Sequence, residues 1–263
     1  QKIKSMSKKR SRLRISFDKS KVSKIEKRNY AGEETRNKRS QEQKETRERG
    51  FLQMETAEKK KMRVGVVGCG AISDVYLTNM IQNFDNLEVV ACCAGHLEHA
   101  EKKAEQYGIK GCTYEEILAD DTIEMVVILT PAPTHEGLIR QALEAGKHVY
   151  TEKTMTLSPK TAAELMKLAE EKHLYFGSAP DTFLGAALQT ARKAIDDGLI
   201  GEVTSFEAYA NRDLDLLASM FRFLRMPGGG ICYDFGVYYL TALVSLFGPV
   251  DRVVSSVRNL APK

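Results

Sequence analysis

The stretch MRVGVVGCGAIS, Met62 to Ser73, decides the fold: an apolar strand runs straight into Gly68-x-Gly70 and then into helix-like sequence. Gly68 permits the tight turn out of the strand, and Gly70 lets the backbone approach a pyrophosphate at the positive N-terminus of the next helix. Ser73 stands where a third small residue lets helix and sheet pack closely. A G-x-G-x-x-small match can also be a plain strand-to-helix connector. The flanks favour a nucleotide turn, since an amphipathic segment from Ile72 to Phe84 follows and a second apolar run, Leu87 to Ala94, arrives at βαβ spacing.

Outward from this unit, short apolar strands alternate with amphipathic helices. Strands are expected at 62–68, 87–94, 125–130, 147–151 and 174–178, and helices at 71–83, 97–107, 114–119, 134–145 and 159–172. Strands separated by helices imply an α/β fold with a parallel, doubly wound sheet. Ser158-Pro159 sets a capping hydroxyl before a proline at the first helical position, and Gly146 stops the helix before it. After Ser178 the character changes. A helix at 182–197, a strand at 202–210, an irregular stretch at 211–227, a helix at 231–247 and a strand at 250–257 suggest a second, α+β domain. Two strands are too few for a self-sufficient sheet, so their edges call for partners and the domain reads as incomplete. The expected organisation is a tail at 1–61, a dinucleotide-binding domain at 62–178 and a substrate or oligomerisation domain at 179–263.

The overall charge of +4 hides a division. Residues 1–61 hold 21 Lys and Arg against 9 Asp and Glu, a net of +12, which leaves −8 for the rest. With few large apolar residues and no sustained period, this segment reads as a disordered basic tail. Its clusters suit a nucleic-acid or acidic-membrane arm. The favoured reading is sequence lying upstream of a start at Met62, which opens the first strand, and nucleic acid is the less favoured partner. Five cysteines, Cys69, Cys92, Cys93, Cys112 and Cys232, show neither C-x-x-C nor metal-site spacing and read as buried thiols. No apolar run is long enough to span a bilayer, and a reducing, cytoplasmic setting is expected.

Three constellations could carry chemistry. Glu152-Lys153 falls at the carboxyl end of an expected parallel strand, the edge where open α/β sheets bind ligands. A lysine there can exchange a proton with a substrate hydroxyl, or it can be half of a surface ion pair. Asp234 and Tyr238, four apart after Gly228-Gly229-Gly230, share one helix face. The carboxylate could fix a polyol, and a phenol eased toward ionisation by a nearby lysine could relay a proton; alternatively the helix is packed core with Asp234 as its cap. Thr130-Pro131 and His135 follow the third strand, where the histidine could touch a ribose or bond its own backbone. The other histidines show no ligand-like grouping, so no metal is expected.

Together these motifs resemble the Gfo/Idh/MocA oxidoreductase family over about residues 62 to 260. The resemblance rests on Gly68-Cys69-Gly70-Ala71-Ile72-Ser73, Thr130-Pro131 with His135, Gly146-Lys147-His148-Val149 with Glu152-Lys153, and Gly229-Gly230 with Asp234-x-Gly236-x-Tyr238. It implies a Rossmann domain, a C-terminal α+β domain whose open sheet serves homo-oligomerisation, and NAD or NADP-dependent redox chemistry on sugars, polyols or related compounds. Lys153 then matches the family's catalytic lysine in a Glu-Lys-Pro motif, and Asp234 and Tyr238 match Asp-x-Gly-x-His with Tyr in the His place. The expected cofactor contacts are Gly68, Gly70, Ala71, Ile72, Ala94, His96, Thr130, Pro131, His135, Glu152 and Lys153. Two departures stand out: Thr154 replaces the proline after the lysine, and Ala94 stands where the second strand usually ends in an acid. They favour a rival reading, a non-catalytic dinucleotide-binding relative acting as a sensor or regulatory subunit. Retention of Lys153, Asp234 and Tyr238 together argues for the enzyme.

Overall fold

In a computed structural model of the chain, residues 14–16, 60–209, 211, 213–226 and 229–256 are described. Of these, residues 60–242 belong to one compact unit and residues 14–16 with 243–256 to another.

Arg14–Ser16 form a short strand, β1. The larger unit then unrolls as β2 (Met62–Val67), α1 (Ser73–Asn83), β3 (Leu87–Cys93), α2 (Leu97–Tyr107), β4 (Lys110–Gly111), α3 (Tyr114–Ala119), β5 (Met125–Ile128), α4 (His135–Glu144), β6 (His148–Thr151), α5 (Pro159–Glu171) and β7 (Phe176–Ser178). The six strands from β2 to β7 make one sheet in the order β4-β3-β2-β5-β6-β7, and every neighbouring pair is parallel. Numbered from β2, this is the 3-2-1-4-5-6 order of a Rossmann sheet, whose direction of growth reverses between β2 and β5.

The near-continuous apolar runs of β2, β3 and β5 follow from helices covering both faces. Successive side chains alternate across the sheet. Val67, Cys93, Val126 and Ile128 join Ile117, Ile139, Leu143 and Leu165 on one face. Val64, Val66, Cys92 and Val127 join Leu77, Met80 and Ala104 on the other. Local signals set the helix ends. Ser158 accepts a hydrogen bond from the Thr161 amide with Pro159 at the first turn of α5, Thr113 and Glu116 form a reciprocal capping box on α3, and Gly108 closes α2 at φ 67.

The sheet was anticipated except for β4, two residues too short to show a period. It lies so close to α2 that a Cβ on Gly111 would stand 2.7 Å from Glu101 Cα and 2.8 Å from Glu101 N. Backbone cannot yield as a side chain can, so Gly111→Ala should cost about 1–3 kcal/mol. Thermal denaturation would show it, and an unchanged midpoint would mean that α2 shifts freely on the sheet.

Beyond β7 the expectations need correction. The helix at 182–197 becomes a 3₁₀ turn, Thr182–Leu184, and α6, Ala186–Asp196. Of the strand expected at 202–210, residues 202–209 form none and residue 210 lies outside the described residues: the alternating pattern finds no ladder partner among the described residues, and an unpaired strand leaves its amides to water. The stretch taken as irregular contains α7 (Leu214–Met220) and a 3₁₀ turn, Arg222–Arg225. The last helix opens with a π turn, Ile231–Phe235, before α8 (Gly236–Phe247). In the smaller unit, β8 (Arg252–Val254) pairs antiparallel with β1. Three residues of the expected tail thus supply β8 with a partner; the remainder of that tail up to residue 59 lies outside the described residues.

Candidate active site

The glycine turn sits at the point where the sheet reverses. Gly68 takes φ 107, and its amide donates to Cys93 O at 2.9 Å, tying the turn to the end of β3. A Cβ on Gly68 would lie 3.0 Å from Leu129 C and Thr130 N, so the turn approaches the chain after β5 as closely as only glycine permits. Around Gly70 the reverse holds, with nothing within 4 Å of the place a Cβ would take. Ser73, fully buried, donates from Oγ to Gly70 O at 2.6 Å. No side chain caps the start of α1; the Ser73 and Val75 amides turn back to Gly70 O and Ile72 O, and the positive end of the helix dipole still favours an anion there. An open cradle over Gly70 facing an uncapped helix start fits the pyrophosphate of a dinucleotide. Ala71 and Ile72 are exposed beside it.

Ala94 and His96 follow β3, and the His96 ring meets the His99 ring edge-on at 5.6 Å between centroids. No acid occupies this strand end. Lys103, on the adjoining helix, binds Asp74 Oδ1 at 2.6 Å, and the Tyr107 hydroxyl donates to the same oxygen at 2.9 Å. These two bonds hold the Asp74 carboxyl below the usual carboxylate range.

After β5, Thr130 Oγ1 accepts from Thr134 Oγ1 at 2.7 Å, which folds Pro131 and the following 3₁₀ turn back toward the strand. His135 is fully buried, with Nδ1 2.8 Å from Thr154 O and Nε2 2.6 Å from Thr130 O. Both ring nitrogens face backbone carbonyls, so of the two readings of His135 the backbone bond is the one observed, a tie between the turn after β5 and the segment after Lys153. Its burial was the missing information, because sequence alone allowed either partner.

At the end of β6, Glu152 N donates to Ile128 O at 2.8 Å. Its carboxylate accepts from the Tyr76 hydroxyl at 2.7 Å and from the Lys153 amide at 3.0 Å. Burial, and then the bond to Glu152, push the Tyr76 phenol well above its ordinary range. The Lys153 ammonium reaches across 81 residues to pair with Asp234 Oδ1. Only 18% of the lysine side chain and 12% of the aspartate side chain are exposed. The Lys153-Thr154 peptide is cis, and Thr154 Oγ1 donates to Tyr233 O at 3.1 Å. A turn at Gly230, with φ 83, lets the Asp234 amide donate to Gly230 O at 2.9 Å and aims the start of α8 at the sheet edge.

Tyr238, one helical turn on, feels the charges of Lys153, Glu152, Asp234 and Asp181. Its ease of ionisation was misjudged from sequence: burial raises the phenol, and the attraction of Lys153 is too weak to reverse that. Burial therefore favours its protonated form. Sequence reasoning also missed Tyr76 and Asp181. Asp181 follows β7 at the same sheet edge and acts on Tyr150 as well as Tyr238; its position just past a strand end was the available signal. For Tyr76, on the first helix after the glycine turn, no motif marked it. Among the described residues no group of three His, Cys, Asp or Glu could hold a metal, and no helix is long and apolar enough to cross a membrane.

Comparison with known proteins agrees with this geometry. Residues 62–179 match the model of the oxidoreductase family with an NAD-binding Rossmann fold, and residues 188–263 match the GFO/IDH/MocA C-terminal domain. An uncharacterised oxidoreductase of Schizosaccharomyces pombe is 30% identical over 202 residues, 75% of this chain and 55% of the relative. The trans-1,2-dihydrobenzene-1,2-diol dehydrogenase of Bos taurus is 29% identical over 191 residues, 71% of this chain and 56% of the relative. A crystal structure of a 3-ketoreductase from Actinomadura kijaniata in complex with NADP superposes with a TM-score of 0.59 at 28% identity, covering 72% of this chain and 56% of that one. The chain spans about half the length of the curated relatives it matches. Its larger unit carries an NAD(P)-binding Rossmann domain, and the chain belongs to the Gfo/Idh/MocA oxidoreductase family.

Proposed function

We propose that the protein is an NAD(P)-dependent dehydrogenase or reductase acting on a sugar, polyol or related hydroxyl or carbonyl compound. The observation that carries this reading is the Lys153–Asp234 pair, drawn from distant parts of the sequence to the sheet edge beside the nucleotide turn. Bound nicotinamide supplies hydride transfer. The chain's own residues supply the rest. Lys153, held by Asp234 and braced through its amide by Glu152, exchanges the proton at the substrate oxygen. Tyr238, kept protonated by burial, serves as a second donor at the same place. Asp234 has a further oxygen with which to orient a neighbouring hydroxyl. The diol and keto-sugar chemistry in the names of relatives supports this substrate class. Five free cysteines suit a reducing compartment such as the cytoplasm, and the family resemblance supports self-assembly through the C-terminal sheet.

The test is a panel of sugars, polyols and diols with both cofactors, followed by absorbance of the reduced nicotinamide. Reduced cofactor that binds while no member of the panel turns over would favour the sensor reading.

Cofactor choice follows from the end of β3. With Ala94 there, no carboxylate repels a 2′-phosphate, while Lys102 remains on the adjoining helix after Lys103 is engaged by Asp74. NADPH is therefore expected to bind at least as tightly as NADH. Fluorescence titration decides this: NADH tighter by about tenfold would mean that another group reads the ribose.

A further inference from the structure

The thiols around the glycine turn form a cluster that the proposed reaction does not use. Val66 lies opposite Cys92 and Val67 opposite Cys93 in the β2–β3 ladder, so the two cysteines point to opposite faces of the sheet. Cys69, inside the glycine turn, packs onto the face that holds Cys92, and the two thiols are close enough to shift each other's ionisation. In the structure the Cys92 thiol donates to Ala100 O at 3.4 Å and the Cys69 thiol to Cys93 O at 3.4 Å, weak bonds that leave both sulfurs free to turn toward each other. Cys92, Cys93 and Cys112 are buried, whereas Cys69 is partly exposed. The turn thus sets one reachable sulfur against one buried sulfur.

Reactivity follows the thiolate. The neighbouring Cys92 thiol holds the Cys69 thiol below its ordinary range, with help from Lys103 and against burial and Asp74. The uncapped start of α1 favours the same anion. The remaining thiols go the other way: its partnership with Cys69 raises Cys92, burial pushes Cys93 up to about 12, and burial raises Cys112. Within the cluster only Cys69 combines access with nucleophilicity.

We propose that Cys69 is a peroxide-sensitive modification site on the nucleotide turn, with Cys92 as its resolving thiol and a bound dinucleotide as its shield. The Cys69 thiolate attacks one peroxide oxygen; the O–O bond breaks as an S–O bond forms, and the departing hydroxide takes a proton and leaves as water. Sulfur is oxidised by two electrons to a sulfenic acid while the peroxide is reduced. The Cys92 sulfur then attacks Cys69 Sγ, forming the S–S bond and breaking S–O, and the hydroxyl leaves with the Cys92 proton as a second water. Oxidation would close the cradle over Gly70 to a pyrophosphate. The shielding alone rests on the proposed dinucleotide role.

The full chain is treated with hydrogen peroxide and dimedone, digested with chymotrypsin to cut between the two cysteines at Tyr76, and read by mass spectrometry. The wild-type chain should give a Cys69–Cys92 cross-linked peptide, and Cys92→Ser should give a dimedone adduct on Cys69 instead. Saturating NADPH should slow both by about tenfold. Should Cys92→Ser fail to fold, Cys69→Ser, at a partly exposed position, should fold and lose the cross-link. Labelling of Cys232 with Cys69 unmodified overturns the proposal. Oxidation of Cys69 at an undiminished rate, while fluorescence shows NADPH bound, overturns the shielding. Fluorescence that shows no NADPH binding while the cross-link forms counts against the dinucleotide reading and not against the thiol pair.

Discussion

Lys153→Ala is expected to lower turnover by about 100-fold or more, the usual scale for removing a positioned acid or base. Dinucleotide affinity should stay within several-fold, because Gly68, Gly70 and the start of α1 are untouched. The structural reason lies in what holds the ammonium. Asp234 grips Nζ, Glu152 receives the Lys153 amide, and Tyr76 steadies Glu152 from the far side. A merely structural ion pair would behave differently. Removing one partner of a largely buried pair leaves the other charge unpaired, which destabilises the fold. Lys153→Ala with Asp234→Asn separates the two cases. The double variant should recover stability, since no unpaired charge remains; turnover that recovered with it would reduce the pair to a brace. Unchanged turnover of an active substrate by Lys153→Ala would sink the catalytic assignment.

The sequence carried the sheet well and the second region poorly, for a physical reason that particular residues show. In β2 and β5 both faces are buried, so Val64 to Val67 and Val126 to Ile128 read as unbroken apolar runs whatever lies around them. Helix ends were legible where the signal was local, as at Ser158-Pro159. Residues 203–209 alternate like a strand, but a strand exists only with its ladder partner, and no local pattern reports that. The site divides in the same way. Lys153 and Asp234 were recognisable because a strand end and a glycine-preceded helix start mark them. Tyr76, Asp181 and the inward turn of His135 depend on which elements meet at one sheet edge, and so became visible only with the fold. Tyr238 shows that proximity to a lysine is not sufficient, since burial of the phenol outweighed it.

Within the glycine turn, two additions of a single methyl group should fail in opposite ways. At Gly68 the backbone is at φ 107 and a Cβ would meet Leu129 C and Thr130 N at 3.0 Å. An L side chain there carries backbone strain of about 1–3 kcal/mol. The contact with main chain adds to it, since the end of β5 must move to make room. Gly68→Ala should therefore lower the melting midpoint, by roughly 2–12 °C for a unit of this size. At Gly70 no atom lies within 4 Å of the new methyl, and φ is not in the left-handed range. Gly70→Ala should melt with the wild type. Its cost falls on the ligand, because the methyl occupies the space over the start of α1 through which a pyrophosphate reaches the backbone. Dinucleotide affinity should drop by about tenfold or more, the loss of roughly one charge-assisted hydrogen bond. Thermal melts and NADPH fluorescence on both variants read the two effects separately. A Gly70→Ala protein that binds NADPH like the wild type would show that the phosphates lie elsewhere, and would leave Gly68-x-Gly70 as a packing turn between β2 and β5.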